Sequence, residues 1–258
     1  MTPQILTEGE CLEERTPEKL YNWVFEKIDL FYLCTHRDLC LRRQLLLHKG
    51  LFKQFYEEMY LLAFFVKRCY GGRTDVWVRW ITGSQPYDAI ISDKTGQQVF
   101  VEITQACYDY DQVLKMEHYL HQDRQGLASL TGKAVRDDTQ RTRIRIDDDF
   151  TEDGDEQEED RRLIAKTLDR KARKLQGHYR PSTILVVAVD DYVRFVTRQD
   201  WVHLKEVAIE KISSEVWPFA GTFFVGVSGR SFCAFVGENM PLPLSDVPKS
   251  YWRDWAKS

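Results

Sequence analysis

The sequence predicts an α/β protein in which helices flank a mixed central sheet. Residues 183–189 form an almost unbroken run of β-branched and apolar side chains, which is typical of a strand buried on both faces. An amphipathic helix is predicted over 159–176, and a helix followed by a buried strand indicates a layered α/β sheet. Residues 86–104 predict a β-hairpin, because two β-rich segments flank the polar turn Asp93–Gly96.

The part of the chain before the hairpin predicts a helical N-terminal subregion. Residues 1–16 are polar and lack periodicity, so we expect a loose arm. Thr16 and Pro17 are typical of an N-cap and a first helical residue. Two further helices are predicted over 36–48 and 51–69, the latter from its apolar stripe.

Strands and helices alternate with polar segments in the remainder. A strand is predicted over 74–81, before the hairpin, and a helix over 108–122, after it. Residues 126–160 are polar, first basic and then strongly acidic, and predict an insertion whose acidic part is a flexible, solvated loop. Another helix is predicted over 200–211, with Asp200 as its cap.

We expect a single domain, because the sequence has no internal repeat and no clear linker. A second hairpin over 222–236 would complete the sheet. The expected parts are the helical subregion 17–70, a core 71–190 that includes the insertion, and a C-terminal helix and strands within 191–258.

The composition is that of a globular protein. The chain has 258 residues, of which 43% are hydrophobic and 29% are charged. No uncharged apolar run reaches the roughly 18 residues of a membrane span, and we expect no signal peptide. The six cysteines have no C-x-x-C spacing. We therefore expect a soluble protein of the reducing cytoplasm.

The charge is distributed unevenly. Ten of the fourteen residues from Asp147 to Asp160 are acidic, and without them the net charge would change from −4 to +6. A mildly basic body is compatible with binding to nucleic acid but does not require it.

Two carboxylates are expected to meet on the first hairpin. Folding the hairpin about its turn places Asp88 opposite position 101 or 102, close to Glu102. Carboxylates held close together on strands are the kind of ligand through which proteins bind Mg²⁺. The alternative is that Asp88 only starts a strand and Glu102 lies on a solvated face.

Two further charged residues lie beside apolar helix faces. Glu58 is at the edge of the stripe of the third predicted helix, where a carboxylate needs a partner. That partner could be a cation shared with the hairpin carboxylates, or Glu58 could form a salt bridge or extend to solvent. Lys171 falls inside the stripe of the helix before the buried strand, and it either reaches the rim or projects into a cleft over the hairpin.

This order of elements and the hairpin motif resemble the PD-(D/E)XK nucleases, which have a restriction-endonuclease-like fold. Their motif has an acid at the start of one strand and an acid, any residue and a lysine on the next. Here the residues are Pro86-Tyr87-Asp88 and Glu102-Ile103-Thr104, so that threonine replaces the lysine. The resemblance covers roughly residues 45–190. Some branches of the superfamily have Glu-x-Thr, and in some members the following helix supplies the lysine, which here would be Lys171.

The resemblance implies a metal-dependent phosphodiester hydrolase that acts on nucleic acid, which we expect to be DNA, in restriction, repair, defence or mobile-element biology. The implied cofactor is Mg²⁺ or Mn²⁺. The implied ligands are Asp88, Glu102, the main-chain carbonyl of Ile103 and Glu58, the last for a second metal or a metal-bound water. Lys171 would orient the water or stabilise charge, and Thr104 would only position a water.

Thr104 also favours a second hypothesis, in which a nuclease-like fold no longer cleaves and acts as a nucleic-acid- or protein-binding module. A third hypothesis is a structural partner in a multi-protein complex, with the acidic insertion as its docking arm. Double-strand cutting by this fold usually implies a homodimer. Metal binding separates the first hypothesis from the others, and salt-dependent DNA binding without metal separates the second from the third.

Overall fold

The computed structural model describes most of the predicted core. It covers residues 5–35, 50–83, 85–106, 153–174, 179–180, 182–191, 195, 197–214 and 217–236, and the backbone of 133–136 and 144–147. The helices predicted over 36–48 and 108–122 lie outside the described residues, as does everything after 236.

A six-stranded mixed sheet forms the centre of the molecule. The strands in chain order are β1 (Val76–Trp80), β2 (Ala89–Asp93), β3 (Gln98–Ala106), β4 (Lys133–Arg136), β5 (Ile144–Asp147), β6 (Thr183–Val189), β7 (Gly221–Gly226) and β8 (Phe232–Val236). The order in the sheet is β1-β2-β3-β6-β7-β8. Strands β3, β6 and β7 are parallel, and the other neighbours are antiparallel. A separate antiparallel pair is formed by β4 and β5. The predicted mixed α/β class is confirmed.

Helices cover both faces of the sheet. They are α1 (Glu8–Leu12), α2 (Pro17–Thr35), α3 (Leu51–Gln54), a π-helical turn (Phe55–Met59), α4 (Tyr60–Tyr70), α5 (Asp153–Lys174) and α6 (Arg198–Ser214). The helices before β1 pack on one face, and α5 and α6 pack on the other. No helix in the described ranges is long and apolar enough to cross a membrane.

Strand β6 has the environment that its sequence predicts. It lies between β3 and β7, and all seven of its residues are buried. Alternate side chains enter the two cores: Ile184 and Val186 pack with the N-terminal helices, whereas Leu185 and Val187 pack with α5 and α6. A strand covered on both faces has no polar side, which explains the continuous apolar run.

The prediction of a loose N-terminal arm is wrong for residues 5–15. Thr7 caps α1, and its hydroxyl oxygen accepts the backbone N–H of Glu10. Cys11 is buried, and the backbone of Arg15 forms an antiparallel bridge with Val78 of β1. A five-residue helix is too short to show a hydrophobic period, so its contribution to the core is not evident in the sequence.

Two helix starts differ from those predicted. Helix α5 begins at Asp153, so the prediction of a flexible loop across the acidic run is wrong for 153–160. Acidic residues are favourable in the first turn of a helix because of the helix dipole. Helix α6 begins at Arg198. Its cap is Thr197, and Asp200 is the reciprocal partner, because the Asp200 carboxylate accepts the Thr197 N–H at 2.7 Å.

The turn between β7 and β8 allows a test of close packing. Gly229 has a φ of 72°, and a Cβ atom there would lie 1.9 Å from Cε1 of Phe64. Gly96, in the turn between β2 and β3, has a similar φ of 83°, but a Cβ atom there would meet nothing within 4 Å. We expect Gly96→Ala to lower the free energy of unfolding by about 1 kcal/mol and Gly229→Ala by about 3 kcal/mol, because only the latter adds a clash. Urea denaturation would measure both, and equal losses would show that Phe64 moves aside freely.

Candidate active site

The carboxyl-terminal half of β3 extends beyond its antiparallel partner. The β2–β3 ladder ends at the pair Ala89 and Val101, whereas β3 continues to Ala106 beside β6. Asp88 immediately precedes β2, so continuation of this register places it opposite Glu102. The proximity of the two residues agrees with the expectation from the hairpin.

The Asp88 side chain continues the ladder where β2 ends. Its Oδ2 atom accepts the backbone N–H of Ile103 at 2.7 Å. Its own N–H donates to the carbonyl of Val101 at 2.7 Å. Asp88 is therefore fixed to the β3 backbone by one hydrogen bond on each side of Glu102, to Val101 and from Ile103.

Lys171 projects from α5 toward the part of β3 that extends beyond β2. Its ammonium forms an ion pair with Oε1 of Glu102, and the exposed fractions of the two side chains are 16% and 8%. Two charges with so little solvent contact are tolerated because they compensate each other. Lys171 is thus paired with Glu102 over the hairpin instead of extending freely into solvent.

Thr104 lies on the same face of β3 as Glu102 and is buried. Its hydroxyl oxygen accepts a hydrogen bond from the guanidinium of Arg170 at 3.1 Å. Ile103, between the two, packs in the opposite core with the N-terminal helices. Helix α5 thus places two consecutive cations, Arg170 and Lys171, beside the Glu-x-Thr segment.

Glu58 lies in the π-helical turn, a feature that often marks functional sites. Its Oε2 atom accepts the indole N–H of Trp80, at the end of β1, at 2.8 Å. Burial and, secondarily, the negative charge of Asp88 raise the pKa of Glu58 to about 7. Among the described residues Glu58 is thus paired with an indole and does not form the salt bridge considered from the sequence.

The electrostatics of the site favour an additional positive charge. Burial raises the pKa of Asp88, and the N–H of Ile103 and the charge of Lys171 oppose that shift. The charges of Asp88 and Glu102 both raise the pKa of Glu58. A divalent cation among these carboxyl groups would favour their ionised forms, and their oxygen atoms are the donors that Mg²⁺ prefers.

Few side chains at the site are able to ligate a metal ion. Within the described ranges, no group of three or more His, Cys, Asp and Glu residues has the arrangement of a metal site. Two carboxylates and a main-chain carbonyl fit Mg²⁺ even so, because this ion commonly keeps several waters and binds substrate phosphates.

Three residues near the site are not among the residues that the sequence predicts to form it. Trp80 and Arg170 contact predicted site residues through the hydrogen bonds given above. The hydroxyl of Tyr179 is buried and has no hydrogen-bond partner among the described residues. Burial and the charges of Glu102 and Asp88 raise the pKa of this phenol. Only Arg170 has a signal in the sequence, as the neighbour of Lys171.

Comparison of the chain with family models, with curated proteins and with solved structures finds no match. The function is therefore inferred from the geometry of the site.

Replacement of Glu58 should change the pH dependence of stability. Because its pKa is raised, the Glu58 carboxyl group of the folded state keeps its proton up to about pH 7. In the unfolded chain it releases the proton near the ordinary pKa of 4.5. The stability associated with the proton is complete below pH 4.5 and is lost as the pH rises through 7. We expect the free energy of unfolding of Glu58→Gln to be about 2 kcal/mol higher than that of the wild type at pH 8. At pH 4 the two values should differ little.

Urea denaturation from pH 4 to pH 8 would measure this difference. Glu26→Gln is a matched control, because Glu26 is exposed on α2 and its replacement should change stability little. A constant difference between wild type and Glu58→Gln over this range would contradict the raised pKa.

Proposed function

We propose that this protein is a metal-dependent nuclease of restriction-endonuclease-like fold that hydrolyses phosphodiester bonds in DNA. The observation that carries the proposal is the convergence of Asp88, Glu102 and Lys171 at the end of the β2–β3 ladder. Three antiparallel strands, a crossing helix and a parallel strand form the scaffold, which is the order of elements that the sequence resemblance implies.

The proposed ligands of Mg²⁺ or Mn²⁺ are Asp88, Glu102 and the main-chain carbonyl of Ile103. The N–H and C=O of one strand residue point to the same edge, so the carbonyl of Ile103 lies on the edge where Asp88 accepts the N–H. When bound, the ion would neutralise phosphate charge and acidify a water. The hydrogen bond from Ile103 to Asp88 would hold the two ligands in a fixed relation.

The charged residues around this set have separate proposed roles. Lys171 would contact the phosphate or orient the attacking water, and Arg170 would add positive charge beside Thr104. Glu58 exchanges a proton near neutral pH because its pKa is raised to about 7. Since Trp80 donates to Oε2, a proton from water would be taken at Oε1.

One observation favours the second hypothesis, a nuclease-like module that binds without cleaving. Lys171 forms an ion pair with Glu102 and so compensates the charge of one proposed metal ligand. In such a module, Arg170 and Arg180 would contact the nucleic-acid backbone; both are exposed, and Arg180 stacks on Phe100 at 4.4 Å.

Metal binding distinguishes these two hypotheses. We expect Mn²⁺ or Mg²⁺ to bind the wild type and not the Asp88→Ala, Glu102→Ala double variant, because the double variant lacks both carboxylates. At pH 6.5 binding should release a proton from Glu58, since the cation stabilises the ionised form. Isothermal titration in two buffers of different ionisation enthalpy would measure binding and proton release together.

Two variants serve as controls for the titration. Glu58→Gln should bind with less proton release, and Asp29→Ala, at an exposed position of α2, should behave as wild type. Absence of binding both with and without added DNA would contradict the nuclease and leave the binding module.

Cleavage assays test the lysine. We expect Lys171→Ala to lower the cleavage rate by about a hundredfold, because a charge next to the reacting phosphate is lost. Thr104→Ala should have a smaller effect, and Thr104→Lys should restore part of the activity in the Lys171→Ala background. Lys166→Ala, an exposed lysine of the same helix, is the matched control. Wild-type activity of Lys171→Ala would show that this lysine has no catalytic role.

A further inference from the structure

A cavity of about 470 Å³ lies between α2, the end of α4 and the turn that joins β7 to β8. Cavities that bind small ligands commonly measure about 300 to 1,000 Å³. None of the residues that line it belongs to the candidate active site. The proposed nuclease function therefore assigns it no role.

The lining of this cavity is cationic. It contains Lys67, Arg68 and Arg73, and no acidic side chain of the described chain is among the lining residues. Lys67 forms an ion pair with Glu18. Arg73 donates two hydrogen bonds to the Asp75 carboxylate, from Nε to Oδ1 at 3.0 Å and from Nη2 to Oδ2 at 2.8 Å. These two acids lie outside the lining, so every charged side chain of the lining itself is cationic. Such a lining favours an anionic ligand.

Aromatic rings make up much of the remaining wall. The rings that line the cavity belong to Tyr21, Phe64, Tyr70 and Phe232. The guanidinium of Arg68 lies 5.9 Å from the centroid of the Phe232 ring. Cationic groups next to aromatic rings are the combination that proteins use for phosphate and base of a nucleotide together.

Tyr70 adds an unused hydrogen-bond donor beside the cavity. Its side chain is 1% exposed, and its hydroxyl has no hydrogen-bond partner within the described part of the chain. Burial raises the pKa of this phenol, so it stays protonated and can only donate to an anion. Buried polar groups without a partner are rare in folded proteins, so this hydroxyl is an unexplained donor at the wall of the cavity.

The wall on the β7–β8 side is held in place. The hydroxyl of Tyr60 donates to the carbonyl of Val227 at 3.0 Å, and Asp191 accepts both the backbone N–H and the hydroxyl of Ser228. A cavity whose wall is already ordered binds its ligand without the entropic cost of ordering that wall.

We propose that this cavity binds a nucleoside phosphate, with the phosphate at Lys67, Arg68 and Arg73 and the base against the aromatic rings. The ligand is either a free nucleotide or the phosphorylated end of a nucleic acid, since both have this chemistry. The proposal is independent of metal binding at Asp88 and Glu102.

Isothermal titration of the full chain without divalent metal tests the proposal, with adenosine 5′-monophosphate, adenosine and a 5′-phosphorylated oligonucleotide as probes. We expect the monophosphate to bind and adenosine to bind at least about tenfold more weakly, because charge-assisted hydrogen bonds are lost. Arg68→Gln should weaken monophosphate binding by about tenfold for the same reason. Ser231→Phe should block the cavity sterically, which provides a second variant if Arg68→Gln does not fold.

Two controls separate the cavity from other charged surfaces. Arg79→Gln removes the same charge from an exposed position of β1 outside the lining, and Asp88→Ala alters the candidate active site; both should bind as wild type. Binding of the phosphorylated oligonucleotide but not of the monophosphate, with the same dependence on Arg68, would identify a nucleic-acid end as the ligand. Absence of binding of all phosphorylated probes, or binding that Arg68→Gln and Ser231→Phe leave unchanged, would overturn the proposal.

Discussion

The hydrogen bond from the Ile103 N–H to the Asp88 carboxylate determines the geometry on which the candidate site depends. Strand β3 is longer than β2, so its last residues lack a backbone partner on the β2 side. A carboxylate that takes this N–H satisfies a backbone donor and places a negative charge beside the Glu-x-Thr segment. The same contact therefore lies just beyond the last pair of the β2–β3 ladder and positions Asp88 in the candidate site.

Charge compensation explains how the site tolerates its burial. Glu102 is 6% exposed, and such a carboxylate requires a partner, which Lys171 supplies from α5. Glu58 accepts a hydrogen bond from an indole and has no cationic partner among the described residues, and its burial raises its pKa. One acid is thus compensated by a lysine and the other by a proton, and both arrangements would respond to a metal ion.

The two sites that we propose occupy opposite ends of one helical run. Glu58, in the π-helical turn, faces the carboxylates, whereas Lys67 and Arg68, near the end of α4, line the cationic cavity. The residues between them are largely core: Leu62 and Phe65 are buried against the sheet. A continuous packed helical run therefore connects the two.

The elements whose patterns are local can be predicted from the amino-acid sequence. The β2–β3 hairpin, the buried strand β6 and the helix that carries Lys171 follow from periodicity, turn residues and apolar runs. The pairing of Asp88 with the Glu102 segment follows from hairpin register, because residues so close in the chain have few ways to pair. The five-residue helix α1 and the early start of α5 were missed, since neither has a periodic pattern long enough to detect.

The contacts between residues far apart in the chain are evident only in the folded protein. Trp80 binds Glu58, Arg170 binds Thr104, and the hydroxyl of Tyr179 is buried near the carboxylates; each contact depends on how separate elements pack. The cationic cavity likewise combines α2, α4 and the β7–β8 turn, which are far apart in the chain. Periodicity specifies which face of an element is buried, but the residue that it meets depends on the order of strands in the sheet and on the angle at which helices cross it.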